Sequence, residues 1–114
     1  MSDCIFCHIV SGNIPSNKVY EDDDVLAFHD LHPAAPTHVL IIPKKHIASL
    51  SEFPVEEEAL AGKLLLRIQQ IAKELGLQEE GYRVVNNMGE LGGQTVHHIH
   101  FHLLGGRSLM WPPG

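Results

Sequence analysis

The alternation of apolar and polar positions predicts strands on either side of one long helix. Two strands are predicted at Lys18 to Glu21 and at Val25 to Asp30, joined by an acidic turn that is typical of a hairpin. A β-branched apolar run after two prolines predicts a central strand at His38 to Pro43. The last two strands are predicted at Tyr82 to Asn86 and at Thr95 to Leu104.

Between the central strand and the last two strands, a helix is predicted from Pro54 to Gly76. Proline suits the first helical position, and the glutamates that follow lie near the positive end of the helix dipole. Strands with a helix inserted among them indicate an α+β fold rather than a doubly wound α/β fold. An apolar stripe at helical spacing is expected to pack on one face of the sheet: Leu60, Leu64, Ile68, Ile71 and Leu75.

The composition is that of one soluble domain, which we expect to span residues 1–114. Of the 114 residues, 44% are hydrophobic and 19% are charged. The chain has no run of about 18 apolar residues and no signal-peptide pattern, so a cytoplasmic protein without a membrane span is expected. A net charge of -6 argues against binding to a nucleic acid polymer. A single phosphate ester is compatible with this charge, because backbone amides and imidazoles can hold one.

The last predicted strand contains a row of alternating histidines. Side chains two residues apart in a strand share a face, so His98, His100 and His102 are predicted to point the same way. Packing alone does not explain the row, because each neutral ring brings a donor and an acceptor that need partners. The row could supply metal ligands, or a nucleophile flanked by helper groups. His98 and His102 would lie about 13 Å apart, too far to share one ion, although neighbours two apart are close enough.

The row of histidines favours a function in covalent phosphoryl chemistry. Imidazole is a good nucleophile near neutral pH, because its reference pKa of about 6.5 leaves it largely unprotonated. Just upstream, Gly92 and Gly93 would let backbone amides approach a phosphate closely. A glycine pair is most often a simple turn, but its position directly before the histidines supports a phosphate-binding loop.

Six short segments accompany the histidines in order along nearly the whole chain: Phe28-His29-Asp30, Pro36-Thr37-His38, Ile42 to His46, Gly92-Gly93-Gln94, Leu104 to Arg107 and Trp111 to Gly114. Residues 98–104 alternate histidine with apolar residues and end in two apolar residues. Together these segments resemble the histidine triad (HIT) family, and in particular its Hint branch. The resemblance implies a HIT-like α+β fold with an antiparallel sheet of about five strands, one long helix, one short helix and a two-fold symmetric homodimer.

The Hint resemblance implies a hydrolase that cleaves the P–N bond of purine nucleoside 5′-phosphoramidates, such as adenosine 5′-phosphoramidate. His100 would attack phosphorus to form a nucleotidyl-histidine, and water would then release the nucleoside monophosphate. A backbone carbonyl would hold the other ring nitrogen of His100, with His38 joining that relay. His102 or Thr95, which stands where relatives usually have serine, would deliver or guide the proton that the departing amine needs.

This mechanism requires no catalytic metal, and two other functions stay open. The same His100 would serve dinucleoside polyphosphate hydrolysis or nucleotidyl transfer, with a phosphate as the leaving group. A zinc-stabilised nucleotide-binding scaffold is the alternative outside enzymology.

The resemblance also implies which residues contact the nucleotide. Asp30 would accept hydrogen bonds from the ribose, and either Asn86 or Asn87 would contact the substrate. Trp111 would reach the site of the partner subunit in the homodimer. The base slot is expected from Ile5, Phe6, Ile9, Phe28 and Leu40, and further contacts from His29, Leu31, Gly92, Gly93, Gln94, Thr95 and Val96 beside His100 and His102.

Two cysteines in the spacing Cys4-x-x-Cys7 suit half of a metal site or a redox pair. A redox pair normally opens a helix in a thioredoxin-like βαβ unit, which the predicted elements do not contain. Resemblance to bacterial histidine triad proteins implies His46 and His98 as the remaining ligands of a structural zinc. His97 is a poor substitute, because it faces the opposite side of the strand from His98.

Overall fold

The computed structural model describes residues 3–114 and contains, within them, one five-stranded antiparallel sheet, one long α-helix and one short α-helix. The strand order is β1-β2-β3-β5-β4, which confirms the predicted α+β fold. No helix in this part of the chain has the length and apolarity needed to cross a membrane. The elements are α1 (Ile5–Ser11), β1 (Lys18–Glu21), β2 (Val25–His29), β3 (Thr37–Pro43), α2 (Glu58–Glu74), β4 (Arg83–Val85) and β5 (Phe101–Gly105), with 3₁₀ turns at Leu50–Glu52 and Val55–Glu57.

Side chains alternate along the strands, so the sheet has two faces. One helix covers each face. The face toward α2 carries Val25, Ala27, Val39, Ile41 and Leu103. The opposite face carries Leu26, Phe28, Leu40 and Ile42, which pack against Phe6 and Ile9 of α1. Coverage of both faces explains why β2 and β3 are almost wholly apolar in sequence.

Helix α2 begins and ends inside its predicted range. A 3₁₀ turn follows Pro54, so that regular α-helix begins at Glu58. The helix ends at Glu74, and Gly76 then takes a left-handed backbone with a φ of 76°. The predicted apolar stripe is confirmed, with three fully buried members (Leu64, Ile68 and Ile71) and two partly buried members (Leu60 and Leu75).

The last strand is shorter than predicted. The sequence predicts a strand over 95–104, whereas the paired strand covers 101–105. The ladder does not extend further because Pro43, at the end of β3, has no amide hydrogen to continue it. The preceding segment leaves the sheet, and the Ile99 N–H donates to the carbonyl of Ile47 at 2.7 Å. The first half of the predicted strand is therefore a loop beside the exit of β3.

The turn between β1 and β2 is tied to α2 through Asp22. Its Oδ1 accepts from the amides of Asp24 and Val25, each at 2.8 Å. Its Oδ2 accepts from the hydroxyl of Tyr20 at 2.6 Å and from Nε of Arg67 at 3.1 Å. Burial alone would raise the pKa of Asp22, but these hydrogen bonds outweigh burial and hold the pKa well below its usual range.

We expect Asp22→Ala to lower the free energy of unfolding by about 2 kcal/mol at neutral pH, because it leaves several donors without their acceptor. The pKa of Asp22 is lower in the folded chain, so its contribution is present above the unfolded value of about 3.9 and is lost as the pH falls below it. Urea unfolding measures the change. The neighbouring Asp23 is exposed, and Asp23→Ala is the matched control; equal losses in the two variants would contradict the assignment.

Candidate functional site

The face of the sheet opposite α2 carries four histidines where β3 and β5 pair. His38 lies on β3 and His102 on β5, while His98 and His100 lie in the segment that leads into β5. His98 is 0% exposed and His100 is 5% exposed. The ring centroids of His100 and His102 are 5.2 Å apart. Phe6 of α1 packs edge-on against both His98 and His100, so the predicted shared face of the row is observed.

Two hydrogen bonds hold His100. Its Nδ1–H donates to the carbonyl of His98 at 2.8 Å, and its own carbonyl accepts from Nδ2 of Asn86 at 3.0 Å. A carbonyl oxygen only accepts, so Nδ1 of His100 carries the proton. The Nε2 of the neutral ring therefore keeps a lone pair.

His38 and His102 form a second chain of hydrogen bonds. The Ala34 N–H donates to Nδ1 of His38 at 3.0 Å, so the proton of the neutral His38 ring lies on Nε2. That Nε2 lies 2.8 Å from Nδ1 of His102 and donates to it. The proton of the neutral His102 ring is consequently on its own Nε2. His38 thus contacts the ring of His102 directly.

Two ring nitrogens of these four histidines have no hydrogen-bond partner among residues 3–114, namely Nε2 of His100 and Nε2 of His102. The fully buried unpaired side-chain atoms in the same part of the chain are Ser16 Oγ and Asn86 Oδ1, so neither ring nitrogen is sealed from solvent. One nitrogen has a lone pair and the other has a proton. Two adjacent rings therefore offer a nucleophile and a hydrogen-bond donor.

Burial keeps this hydrogen-bond chain uncharged at neutral pH. Burial lowers the pKa of His38, and the nearby charge of Asp30 opposes that effect only in part. Burial also lowers the pKa of His102 to about 4, and the adjacent rings of His100 and His38 add to this shift.

Asp30 lies beside the hydrogen bond that joins His38 and His102. Its Oδ1 accepts from the amide of His32 at 2.8 Å, and its Oδ2 lies 3.5 Å from Nε2 of His38. The side chain is 20% exposed. A carboxylate has capacity for further donors beyond these two contacts, so Asp30 can still accept from a ligand.

The backbone of the glycine loop is closely packed. A Cβ at Gly92 would collide with the carbonyl of Met88, so this position excludes any side chain. Gly93 has a φ of 81°, which favours glycine. Nδ2 of Asn87 donates to the carbonyl of Gly92 at 2.7 Å. Asn86 and Asn87 therefore have different tasks, because Asn86 holds His100 and Asn87 holds the loop.

The side-chain amide of Gln94 also holds the glycine loop through hydrogen bonds. Its Nε2 donates to the carbonyls of Ala48 and Val96 at 2.7 and 3.0 Å. Its Oε1 accepts from the amide of Gly89 at 3.0 Å. Thr95, the next residue, is exposed and free of such a structural task among the hydrogen bonds described for residues 3–114.

The predicted nucleotide contacts fall into two groups. Ile5 is 47% exposed and lines, with Thr95 and Val96, a cavity of about 510 Å³ beside the start of α1. Leu31 and Trp111 are 86% and 81% exposed, and His29 is exposed as well. The structure brings together the remaining four apolar contacts in one buried cluster: Phe6, Ile9, Phe28 and Leu40.

A second cluster contains two thiols and two imidazoles. The donor atoms of Cys4, Cys7, His46 and His98 all lie within 4.8 Å of one another. Sγ of Cys4 and Sγ of Cys7 lie 3.3 and 3.6 Å from Nδ1 of His98, and Sγ of Cys7 lies 3.4 Å from Nδ1 of His46. A tetrahedral zinc with bonds of about 2.3 Å to sulfur and about 2.0 Å to nitrogen separates such atoms by about 3.5 Å. The donor set and spacing fit a metal ion.

The protonation pattern in this cluster also fits a cation. Nε2–H of His98 donates to the carbonyl of Pro43 at 2.8 Å, which leaves the lone pair of Nδ1 toward the thiols. Burial and the neighbouring thiol of Cys4 raise the pKa of Cys7 to about 11, so two adjacent thiolates need a cation between them. His97 is exposed and lies outside the cluster.

Several groups that organise the site had no signal in the sequence. The carbonyls of Pro43 and His98 and the amide of Ala34 decide which ring nitrogens carry protons. Every residue has such backbone groups, so only the fold shows which of them act. Gln94, which is predicted to contact the nucleotide, donates to the carbonyls of Ala48 and Val96 and accepts from the amide of Gly89.

The sheet, the two helices and the paired histidines define the HIT fold, and comparison with known proteins agrees. The chain belongs to the HIT family, because the family model described as HIT domain matches residues 11–109. An uncharacterised HIT-like protein of Synechococcus elongatus is 57% identical over 112 residues, which cover 98% of this chain and 97% of that protein.

Solved structures of relatives share the whole fold. A HIT family hydrolase from Legionella pneumophila is 51% identical with a TM-score of 0.96, over 98% of this chain and 100% of that one. A histidine triad nucleotide-binding protein from Candida albicans is 38% identical with a TM-score of 0.84, over 96% of this chain and 83% of that one. The fold is thus one that HIT family hydrolases and nucleotide-binding proteins share.

The low pKa of His102 predicts a pH-dependent stability. Its folded pKa of about 4 lies below the unfolded value of about 6.5, so the unfolded chain alone takes up this proton between the two values. The resulting stabilisation is complete above about pH 6.5 and is lost as the pH falls toward the folded value. We expect His102→Gln to reduce the loss of unfolding free energy between pH 7.5 and pH 5 by about 1 kcal/mol.

Urea unfolding of the wild type and of His102→Gln at pH 7.5 and pH 5 measures the change in unfolding free energy. His97→Gln is the matched control, because His97 is exposed and should leave the pH dependence as it is. A His102→Gln variant whose stability falls as steeply as that of the wild type would contradict the assignment.

Proposed function

We propose that this chain is a Hint-branch hydrolase that cleaves the P–N bond of purine nucleoside 5′-phosphoramidates. The observation that carries the proposal is the pair of unpaired nitrogens, a lone pair on His100 Nε2 and a proton on His102 Nε2. Covalent phosphoryl transfer needs this division of roles. Relatives that are called a hydrolase and a nucleotide-binding protein support it.

In the first step, Nε2 of His100 attacks phosphorus. The new N–P bond forms as the P–N bond to the amine breaks, and the departing nitrogen takes up one proton to leave as a neutral amine. The nucleotidylated ring becomes cationic, with its remaining proton on Nδ1. The carbonyl of His98 at 2.8 Å accepts that proton in a hydrogen bond and stabilises the positive charge.

In the second step, water attacks the same phosphorus. The N–P bond to His100 breaks, the nucleoside monophosphate leaves, and the proton lost by water goes to solvent. His100 returns to its neutral Nδ1–H form without any rearrangement, because the carbonyl of His98 holds that proton throughout.

His102 and Thr95 have different roles in the reaction, one at the phosphoryl group and one at the departing amine. A neutral His102 with its pKa at about 4 has one exchangeable proton and would become an imidazolate if it gave this proton away. Its Nε2–H therefore serves as a hydrogen-bond donor to a phosphoryl oxygen. The exposed hydroxyl of Thr95 guides a proton from water to the amine, and the amides of the glycine loop stabilise phosphate charge.

The nucleoside would lie against the apolar cluster on this face of the sheet. Phe6, Ile9, Phe28 and Leu40 would form the apolar floor beneath the base, with each side chain 4–8% exposed. Asp30 supplies acceptor oxygens for the ribose hydroxyls, since its carboxylate is not saturated by protein donors.

Zinc is the metal that best suits the second cluster. Two cysteines and two histidines at tetrahedral spacing are typical of closed structural zinc sites. Cys4, Cys7, His46 and His98 would hold it, and the ion would supply a cross-link between α1 and the histidine segment. The phosphoryl chemistry uses no catalytic metal. A cytoplasmic location would keep both thiols reduced.

We expect the purified protein to release AMP from adenosine 5′-phosphoramidate and His100→Ala to lower kcat at least about 1000-fold. The reason is that no other described imidazole presents an unpaired lone pair at this position. AMP release is followed by chromatography, and an alkaline quench followed by peptide mass spectrometry locates the nucleotidyl group.

His97→Ala is the matched control and should keep kcat within about twofold, because His97 is exposed and outside both clusters. Faster turnover of a dinucleoside polyphosphate would favour the alternative leaving group. AMP binding without turnover of either substrate would favour a scaffold. Full activity of His100→Ala would end the nucleophile assignment.

We also propose that two copies form a homodimer across the β4 edge of the sheet. β4 is an edge strand of three residues, and Val84 at its centre is 40% exposed. Beside it, Phe53, Val55, Leu65 and Phe101 line an apolar groove of about 380 Å³. A second copy would cover both features.

The C-terminal tail extends from the same edge. Arg83 of β4 donates to the carbonyls of Leu109 and Met110 at 2.9 and 2.8 Å, which holds the tail beside the strand. Trp111, 81% exposed, follows directly. Across a shared β4 edge, this side chain would reach the nucleotide site of the partner.

Leu65→Glu should convert the dimer to a monomer in gel filtration and light scattering, because it places a charge in the apolar groove. Leu66→Glu is the matched control, since both leucines are 59% exposed on α2 and only Leu65 lines the groove. A wild type that elutes as one chain, or equal effects of the two variants, would remove this interface.

A further inference from the structure

We propose that the metal cluster positions the nucleophile. A metal held by Cys4, Cys7, His46 and His98 fixes the carbonyl that orients His100 and the aromatic ring that packs on it. Metal occupancy then controls the tautomer of His100 and the affinity for a nucleoside monophosphate. The choice of a nucleoside monophosphate as the ligand rests on the proposed function. The effect of the metal on the tautomer of His100 does not.

The first connection runs through His98, which belongs to both sites. Its ring lies between the carbonyl of Pro43 and the two thiols, and its own carbonyl accepts from Nδ1 of His100 at 2.8 Å. The residue is 0% exposed, so close packing restricts both its ring and its peptide. A ligand bond at Nδ1 of His98 therefore restrains the acceptor that holds His100.

The second connection runs through the first turn of α1. Cys4 and Cys7 flank Phe6, whose ring packs edge-on against His100 with centroids 5.1 Å apart and an interplanar angle of 88°. Helix α1 has seven residues, and a helix of this length is marginal without tertiary contacts. Ligation of both thiols would anchor the turn that carries Phe6. The same ring belongs to the apolar cluster proposed for the base.

The tautomer of His100 is the quantity that these two connections control. A neutral imidazole without a fixed acceptor carries its proton on either nitrogen. With the proton on Nε2, the ring has no lone pair to offer to phosphorus. A metal that holds the carbonyl of His98 in place keeps the proton on Nδ1 and thus preorganises the nucleophile.

The test compares metal-loaded and chelator-treated full-length protein by two measurements that do not involve turnover. Long-range ¹H–¹⁵N spectra of histidine-labelled protein report the tautomer of His100, and calorimetry reports the Kd for AMP. We expect one Nδ1–H form in the loaded protein and a mixture after metal removal. We expect AMP binding to weaken at least about tenfold.

His46→Ala removes a ligand that has no described hydrogen bond to His100 and should reproduce both changes. His97→Ala, one residue from His98 but outside the cluster, should reproduce neither. An unchanged tautomer and an unchanged Kd after metal removal, with the fold intact by circular dichroism, would overturn the proposal.

A protein that unfolds without metal is tested in its loaded form. Coupling between two sites is reciprocal, so AMP must tighten metal binding by the same factor by which the metal tightens AMP binding. With cobalt in the site, a chelator titration followed by visible absorption should need about tenfold more chelator at saturating AMP than without AMP, and equal midpoints would overturn the coupling. If the loaded protein neither binds AMP nor hydrolyses the phosphoramidate, the proposed function fails, and the tautomer comparison alone decides this inference.

Discussion

The hydrogen bond from the ring of His98 to the carbonyl of Pro43 is the interaction on which both clusters depend. It forms where β3 ends, because a proline without an amide hydrogen stops the ladder there. His98 is completely buried, so the loss of this acceptor would leave an unpaired donor in the core at a cost of about 1–3 kcal/mol. The bond aims Nδ1 at the thiols and fixes the peptide whose carbonyl holds His100.

Most of the fold was predictable because it follows from periodicity. The apolar runs of β2 and β3 and the stripe of α2 have spacings that identify their elements without knowledge of their neighbours. The start of β5 was not predictable in this way. Alternating residues look the same in a paired strand and in an extended loop, and the pairing is decided by Pro43 in another strand. The shared face of the histidines was still predicted correctly, since alternation survives in the loop.

The candidate site was predictable only in its side chains. Cys4, Cys7, His46 and His98 were expected together from a family pattern, and the fold brings them within reach of one ion. The groups that choose the tautomers are backbone carbonyls and one backbone amide, which leave no trace in a sequence. Exposure is equally hidden. The sequence does not show that Trp111 is 81% exposed, because residue type alone does not determine exposure. Only the fold shows that the tail lies beside the β4 edge of the sheet.

The same hydrogen bonds that allow the histidines to be buried also fix the positions of their ring protons. Four largely buried imidazoles have eight ring nitrogens, and each needs a partner or access to solvent if burial is to be tolerated. Backbone groups, the thiols and neighbouring rings satisfy six of them, which fixes every proton in the set. The two that remain are Nε2 of His100 and Nε2 of His102, on adjacent rings 5.2 Å apart. The packing that satisfies the buried histidines therefore also selects which unpaired ring nitrogen keeps a lone pair and which keeps a proton.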